Sequence, residues 1–393
     1  MTTPTLDVRR TRDALAATGC GWCGEPVDAP QPGWTHGSGP AYCSKHHVIA
    51  GRHPWGIGQA ALDDAESFHN LGSEDLLFWP WHAVNELLGP LVPRRLTYLA
   101  AFPSGGKTTF LFECIEFWLA QGKTITYLPL ESDRAEVMTR LACSRANVNP
   151  NEALSKLLRV RADRGDARAR AQLTELELAY RLLREDTDLL FALRIEPIDA
   201  LTKSSFKKAI ACCEAMQSDI LIVDHVDHTE ADDNENGSDI TLSNALQGAA
   251  LKAAKRLSIP VLLATQLNSS RTGGDRLAMF RPPVMDWLYN KGKKDQMAAT
   301  VAGLYRPMDP DATDDAVKAV KDGRADPATI LLANTMGVNA PKRRYGGASL
   351  KTTASLSMVH GRLRDMDGMD GRAIQAASAG ITTGRSASDF GAR

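Results

Sequence analysis

The stretch LTYLAAFPSGGKTTF, residues 96–110, decides the fold of this protein. Its first half is an apolar run typical of a buried strand, and the overlapping stretch TTFLFECIEFWLA (108–120) is typical of a helix. A strand, a loop containing Gly-Lys-Thr and a helix, in this order, predict a phosphate-binding P-loop. The alternative is a Gly-Lys-Thr sequence present by chance at a helix start, which leaves the preceding strand unexplained.

Each part of the P-loop has an expected role. Gly105 and Gly106 let the backbone curl so that successive N–H groups point into one concavity, where the positive end of the helix also attracts phosphate. Lys107 is predicted to reach the terminal phosphates of ATP, and the Thr108 hydroxyl to ligate Mg²⁺. The residues predicted to contact the nucleotide in this stretch are Ala101, Phe102, Pro103, Ser104, Gly105, Gly106, Lys107, Thr108 and Thr109.

Polar side chains lie at the ends of three further apolar runs. Asp224 ends DILIVD (219–224) and is expected to help hold Mg²⁺, because a carboxylate at the tip of a buried strand is costly without a cation. Glu131 ends KTITYLPLE (123–131) and is predicted to orient or deprotonate water. Gln266, near the end of IPVLLATQL (259–267), is predicted to sense the terminal phosphate. A solvated or turn-capping polar residue is the alternative for each.

The apolar runs alternate with helical patterns, which predicts an α/β fold with a mainly parallel central sheet. Three later runs, at 298–306, 328–334 and 349–358, have no long helices between them. They predict antiparallel additions at the C-terminal edge of the sheet. A polar, partly helical insertion is expected over 309–327, and an amphipathic packing helix over 174–185.

Length and composition set the outline of the chain. With 393 residues, of which 43% are hydrophobic and 24% charged, it has a globular composition and is long for a single core. We expect one domain over 1–70, a second over 71–364 that carries the P-loop, and a flexible tail over 365–393. The sequence lacks a signal peptide and any stretch near the roughly 18 apolar residues of a membrane helix, so a cytoplasmic protein without a membrane partner is expected.

A cysteine cluster distinguishes the first 70 residues, which show little periodicity. The spacing C-x2-C-x19-C-x2-H suits a structural Zn²⁺ ion held by Cys20, Cys23, Cys43 and His46, with His47 as the rival fourth ligand. A segment this short with no evident core would need the folding energy of the metal. The spacing therefore predicts a zinc-ribbon-like module, with a disulfide or free thiols as the alternatives.

The stretch from Val92 to about Ser357 resembles the motor domain of the DnaB family of hexameric replicative helicases, including its phage branch. The resemblance rests on the order of LTYLAAFPSGGKTTF, LPLESDRAEVMTRL, ILIVDHVDH, IPVLLATQLN and RPPVMDWLYNKGKKDQMAATVAGLYR. It implies a RecA-like P-loop NTPase fold that uses ATP and Mg²⁺. It also implies a homo-oligomeric ring, single-stranded DNA as a partner, and contacts with other replication proteins.

The same resemblance implies roles for individual residues. Glu131 corresponds to the catalytic glutamate, and Arg140, nine residues later, to an arginine that packs on the nucleotide base. Asp224 corresponds to the acid on the Mg²⁺ side, and Gln266 to the residue that couples nucleotide state to a DNA-facing loop. His225 matches the Asp-His pairing of the phage branch.

Two departures from the family pattern affect what can be carried over. The family places a Lys and an Arg, which reach into the neighbouring subunit's ATP site, where this chain has Asn334 and Met336. The nearby Lys342, Arg343 and Arg344 either substitute for this trans-acting finger or line the DNA path. The helical collar that recruits primase in the family is replaced here by the cysteine-bearing segment.

Charge is unevenly distributed although the net charge is only -1. Residues 224–240 hold seven acidic groups and no Lys or Arg, whereas residues 342–364 hold six basic groups and no acid. The basic segment, residues 271–306, holds seven cations against three acids, a surplus of +4. It begins with a loop predicted to be mobile and to grip a phosphate backbone, with a solvated charged loop as the alternative.

The sequence therefore predicts an ATP-dependent helicase or translocase of the DnaB type that acts on single-stranded DNA in replication. The alternative is a RecA-like, DNA-stimulated ATPase that serves as a non-unwinding switch or as a repair and recombination accessory.

Overall fold

The structure is a computed structural model of the full chain. It describes residues 66, 70–72, 75–196, 201–227, 229–231, 239–273, 275–288, 291–344, 353–359 and 362–366. The chain divides between Gly72 and Ser73 into two units, and almost all of the described residues belong to the second. The proposed zinc module and nearly all of the predicted tail lie outside the described residues, so both stay predictions.

A nine-stranded sheet organises the described residues, and the first six strands along the chain form its parallel part. These strands are β1 (Leu96–Ala101), β2 (Ile125–Pro129), β3 (Leu193–Ile195), β4 (Ile220–Asp224), β5 (Val261–Gln266) and β6 (Ala298–Tyr305). Their spatial order is β3-β2-β4-β5-β1-β6. Strands β1, β2 and β4 are buried along their whole length, which explains their continuous apolar sequences.

Helices connect the strands and cover the sheet. In chain order they are α1 (His82–Leu88), α2 (Lys107–Leu119), α3 (Arg134–Ala146), α4 (Pro150–Leu154), α5 (Leu157–Asp163), α6 (Ala167–Glu185), α7 (Thr187–Ala192), α8 (Lys203–Ala215), α9 (Asp239–Leu257), α10 (Lys291–Met297) and α11 (Asp314–Lys321). Helix α6 contains the predicted amphipathic helix, and α11 lies in the predicted polar insertion. Helices α3 to α7 precede β3, a short strand that the sequence analysis did not anticipate.

The C-terminal edge of the sheet is antiparallel, as predicted, but the antiparallel part begins one strand later than expected. The run at 298–306 forms β6, which follows helix α10 and pairs parallel with β1. Strands β7 (Thr335–Arg343), β8 (Thr353–Val359) and β9 (Arg362–Asp365) continue the sheet outward from β6. The predicted strand over 328–334 is wrong. Asp326 caps a 3-10 turn over Pro327–Ile330, and Asn334 then adopts a left-handed backbone conformation with φ of 54°, so β7 begins only at Thr335.

The carboxyl ends of four parallel strands share one side of the sheet. Ala101 pairs with Gln266, and Pro129 pairs with Asp224, so the last residues of β1, β5, β2 and β4 lie side by side. We call this side, which is formed by the ends of the strands, the carboxyl edge, and the opposite ends of the same strands the amino edge. Neither is the C-terminal edge described above, which consists of the outer strands β7 to β9. The geometry places the predicted catalytic and nucleotide-binding residues together at the carboxyl edge, where α/β folds bind ligands.

None of the described helices is long and apolar enough to span a membrane.

Candidate functional site

The predicted P-loop lies between β1 and α2, with the conformation that its two glycines allow. Gly106 caps α2 with φ of 90°, a left-handed value that disfavours other residues. A Cβ atom at Gly105 would lie 2.8 Å from the Phe102 carbonyl oxygen, so a side chain has no space there. The loop is therefore closely folded over the end of β1 and opens directly into the N-terminus of α2, an arrangement suited to phosphate.

Lys107, the first residue of α2, is buried. Burial lowers the pKa of its ammonium group, whereas the negative charges of Asp224, Glu131 and Asp227 oppose that shift. Asp224 ends β4, Asp227 lies just beyond it, and Glu131 lies just beyond β2. The lysine is thus held at the carboxyl edge near several acids, where a bound triphosphate would give it further counter-charge.

Thr108 and Asp224 supply two oxygens that suit Mg²⁺. Thr108 Oγ1 lies 3.4 Å from Asp224 Oδ2, which also accepts a hydrogen bond from the Tyr127 hydroxyl at 3.2 Å. Burial raises the pKa of the Asp224 carboxyl, with Lys107 acting in the opposite direction. A hydroxyl and a buried carboxylate fit a hard divalent cation, whose charge would stabilise the ionised acid. Tyr127, which the sequence analysis missed, lies in the middle of β2 on the same face as Ile125.

Glu131 lies two residues beyond β2 and is the most accessible of the predicted catalytic side chains, with 57% of the side chain exposed. Its Oε1 is 3.9 Å from Nε2 of His225, which is buried directly after Asp224. The carboxylate therefore stands next to the predicted Mg²⁺ ligands yet reaches solvent. That placement suits a group that orients or deprotonates water.

Gln266 ends β5 beside Ala101, the residue that leads into the P-loop. Its backbone N–H donates to Asp227 Oδ2 at 2.6 Å, and the neighbouring Thr265 hydroxyl donates to the same oxygen at 2.8 Å. Asp227 also accepts from the ammonium of Lys294 at 2.6 Å. Sequence reasoning did not single out Asp227 as a functional residue; its only signal was a second aspartate three residues after Asp224.

Arg140 lies on α3, and its guanidinium group is close to the P-loop helix. It donates to Glu136 Oε1 at 2.8 Å and 3.0 Å and lies 5.9 Å from the ring centre of Phe112 on α2. The structure thus brings Arg140 near α2, while its role beside a nucleotide base stays a prediction.

Lys342, Arg343 and Arg344 lie at the amino edge, since Lys342 and Arg343 pair with Val301 and Thr300 near the start of β6. All three bond within the chain. Lys342 Nζ donates to Asp295 at 2.8 Å, Arg343 to the Leu87 carbonyl at 3.1 Å, and Arg344 to the Gln296 carbonyl at 2.8 Å. These contacts disfavour the hypothesis that one of them completes a neighbour's ATP site.

At the family's finger positions, Met336 packs inside its own chain. Its side chain is fully buried, and its terminal methyl fills the space that a Cβ atom on Gly106 would need. Asn334 lies just before β7.

The basic segment has more structure than a mobile loop. It begins within a 3-10 turn over Ser269–Thr272 and contains two more, over Ala278–Phe280 and Met285–Trp287. Leu277 and Phe280 pack against Val320 and Ile330. One of its seven cations, Lys294, is fully buried and so is not available to bind a phosphate backbone. Arg281 pairs with Asp275 at 3.1 Å.

The predicted zinc ligands Cys20, Cys23, Cys43 and His46 lie outside the described residues. Within the described ranges, no group of three or more His, Cys, Asp or Glu side chains forms a metal cluster. Cys114, Cys143 and Cys213 are buried free thiols.

A comparison with known protein families identifies the domain that contains this site. The family model of the DnaB-like helicase C terminal domain matches residues 80–346, which include the P-loop, Glu131, Asp224 and Gln266. This chain belongs to that family. Membership implies a helicase-type enzyme that hydrolyses nucleoside triphosphates with Mg²⁺.

Solved structures support the RecA-like fold. The ATPase domain of G40P is 17% identical, with a TM-score of 0.55 over 78% of this chain and 96% of that one. A DnaB-like replicative helicase, solved to show its interactions with primase, is 19% identical with a TM-score of 0.54. That match covers 77% of this chain and 64% of the other. A search of the curated proteins found no match.

Proposed function

We propose that this protein is an ATP-driven motor that moves along single-stranded DNA and unwinds duplex DNA during replication. The observation that carries the proposal is the set of residues at the carboxyl edge. Lys107 and Thr108 belong to the P-loop, and Asp224 shares a hydrogen bond with Thr108. Gln266 ends β5, and Glu131 lies two residues beyond β2. This set contains the groups that ATP hydrolysis needs: phosphate ligands, a metal site, a water-orienting carboxylate and a residue able to sense the terminal phosphate.

Mg²⁺ would neutralise charge on the phosphates when it is bound with ATP. The side chains of the protein bind the phosphates, hold the metal and position the water. Lys107 binds and orients the phosphates, Thr108 and Asp224 hold the metal, and Glu131 positions water or takes its proton. Gln266, next to the P-loop strand in the sheet, links the nucleotide to the basic segment that follows β5.

We further propose that the active form is a homo-oligomeric, hexameric ring and that residues 1–70 form a separate zinc module. The ring is proposed on the basis of family membership alone. The zinc module rests on the cysteine and histidine spacing alone. Metal analysis of the purified protein checks it, because bound zinc well below one equivalent would contradict it.

The motor is tested by measuring ATP hydrolysis, with and without single-stranded DNA, and unwinding of forked duplexes with 5′ or 3′ tails. DNA should stimulate hydrolysis, and Lys107→Ala should lower the stimulated rate by about 100-fold or more, because the lysine contacts the reacting phosphates. Lys123→Ala is the matched control, since Lys123 lies at the amino edge, 3.9 Å from Asp219.

The other outcomes of this experiment are equally informative. Stimulated hydrolysis without unwinding, by a protein that stays monomeric with ATP, would replace the motor with the non-unwinding switch. An absence of hydrolysis under every condition would contradict both.

A further inference from the structure

A buried lysine joins the predicted sensor to a helix that carries none of the predicted nucleotide-binding residues. Lys294 on α10 is fully buried, and its Nζ lies 2.6 Å from both Asp227 Oδ1 and Thr265 Oγ1. Asp227 Oδ2 in turn accepts the backbone N–H of Gln266 at 2.6 Å. One carboxylate therefore links the segment after β4, the end of β5 and helix α10.

The other side of α10 is bound to the antiparallel part of the sheet. Asp295 accepts a hydrogen bond from the ammonium of Lys342, and the Gln296 carbonyl accepts one from the guanidinium of Arg344. The helix ends at Met297, directly before β6, and residues 271–290 of the basic segment precede it. A shift of Asp227 relative to β7 would therefore act on α10 and on the cations before it.

We propose that Asp227 and Lys294 are positioning residues that couple Gln266 to α10, so that nucleotide binding at the P-loop changes the stability of α10. The inference rests on the proposed function only in assuming that the P-loop binds ATP. Breaking such a buried pair leaves an uncompensated charge, whereas apolar side chains of similar volume often pack equally well in its place. A charged pair at this point, with its directional hydrogen bonds, sets the relative position of the three elements.

Hydrogen exchange measured peptide by peptide tests the coupling, with the non-hydrolysable analogue AMP-PNP and Mg²⁺ as the probe. In the wild-type full-length protein, the probe should slow exchange of the P-loop peptides and of α10, each by roughly threefold or more. In the double variant Asp227→Asn with Lys294→Met, which removes both charges and keeps similar shapes, the P-loop peptides should still respond and α10 should not.

Two further proteins make the result specific. Asp219→Asn with Lys123→Met makes the same two substitutions in a charged pair at the amino edge. In this variant AMP-PNP should still slow hydrogen exchange of both the P-loop peptides and α10. Thr265→Val removes the hydroxyl that Lys294 and Asp227 share, and it should weaken the α10 response. This single variant tests the coupling even if the double variant does not fold.

The possible results separate the two proposals. If AMP-PNP protects the wild-type P-loop but not α10, or if the double variant keeps the α10 response, the coupling is overturned while nucleotide binding stands. If the wild-type P-loop itself does not respond, the proposed function fails and the coupling fails with it. A second readout should agree: the double variant should lose roughly tenfold in the stimulation of ATP hydrolysis by single-stranded DNA.

Discussion

The two edges of the central sheet differ in how tightly the polar groups at the two ends of β4 are bonded, although Asp227, just beyond Asp224, is itself held by hydrogen bonds of 2.6 Å to 2.8 Å. At the amino edge the contacts are short: Thr124 donates to Asp219 at 2.7 Å, and the hydroxyls of Thr126 and Ser218 are 2.8 Å apart. At the carboxyl edge, Asp224 contacts Thr108 only at 3.4 Å and Tyr127 at 3.2 Å.

The longer contacts of Asp224 are those expected of a group that binds a ligand, as proposed above, rather than of one that only holds the fold together. Burial shifts the pKa of Lys107 down and that of Asp224 up, in each case away from the charged form. A carboxyl edge that served only the fold would have no reason to retain such groups, because charges that the protein disfavours cost stability. ATP and Mg²⁺ would supply the missing counter-charges.

Replacing Glu131 by Gln at the carboxyl edge should slow ATP hydrolysis far more than the matched replacement at the amino edge, which makes it the largest effect expected. The exposed carboxylate beside His225 is the group placed to orient water, so its loss should slow hydrolysis by about 10²- to 10⁴-fold. Nucleotide affinity should change little, because the residue does not belong to the P-loop. Single-turnover phosphate release and nucleotide titration measure the two effects separately.

The matched control is Asp219→Asn at the amino edge, which should leave hydrolysis near the wild-type rate. A Glu131→Gln rate within about threefold of wild type would mean that another group orients the water, given the much larger losses typical of general bases.

Replacing Asp224 by Asn should lower activity and raise stability. Burial raises the folded-state pKa of Asp224, so its stabilising contribution is complete at low pH and is lost as pH rises through that value. Near pH 7 to 8 the neutral variant should therefore be more stable by about 1 kcal/mol, equivalent to roughly 2–4 °C in Tm. The gain should disappear as pH falls toward about 4.

Thermal unfolding across this pH range, without and with ATP and Mg²⁺, measures the effect. Asp219→Asn is again the comparison, and it should lower Tm because it weakens the bond from the Thr124 N–H. A loss of stability in Asp224→Asn at pH 8 would show that the fold itself requires the ionised carboxylate.

Much of the carboxyl edge could be predicted because local sequence determines it. The P-loop needs a strand, two glycines and a helix in succession, and apolar runs ending in polar residues identify Glu131, Asp224 and Gln266. The family model confirms the DnaB-like domain, while the roles of the single residues stay predictions.

The remaining features depend on packing between distant segments. Lys294 belongs to the cluster Lys-Gly-Lys-Lys, which in sequence is typical of an exposed basic surface, and only the fold shows it buried against Asp227. The apolar stretch before Asn334 resembles a strand, yet a capped 3-10 turn and a left-handed residue delay β7. Neither the burial of Lys294 nor the late start of β7 gives a strong signal in a single sequence.

The smallest effect is expected for Arg343→Met at the amino edge. Arg343 donates to the Leu87 carbonyl at the end of α1, so its loss should lower the free energy of unfolding by about 1 kcal/mol. Stimulated ATP hydrolysis should stay within about twofold of wild type, because the contact lies roughly 20 Å along β7 from the P-loop end of the sheet. Denaturant unfolding and steady-state hydrolysis are the measurements. A tenfold or greater loss of hydrolysis with unchanged unfolding would instead mean that this guanidinium leaves Leu87 to act in a neighbouring subunit's site, as arginine fingers do.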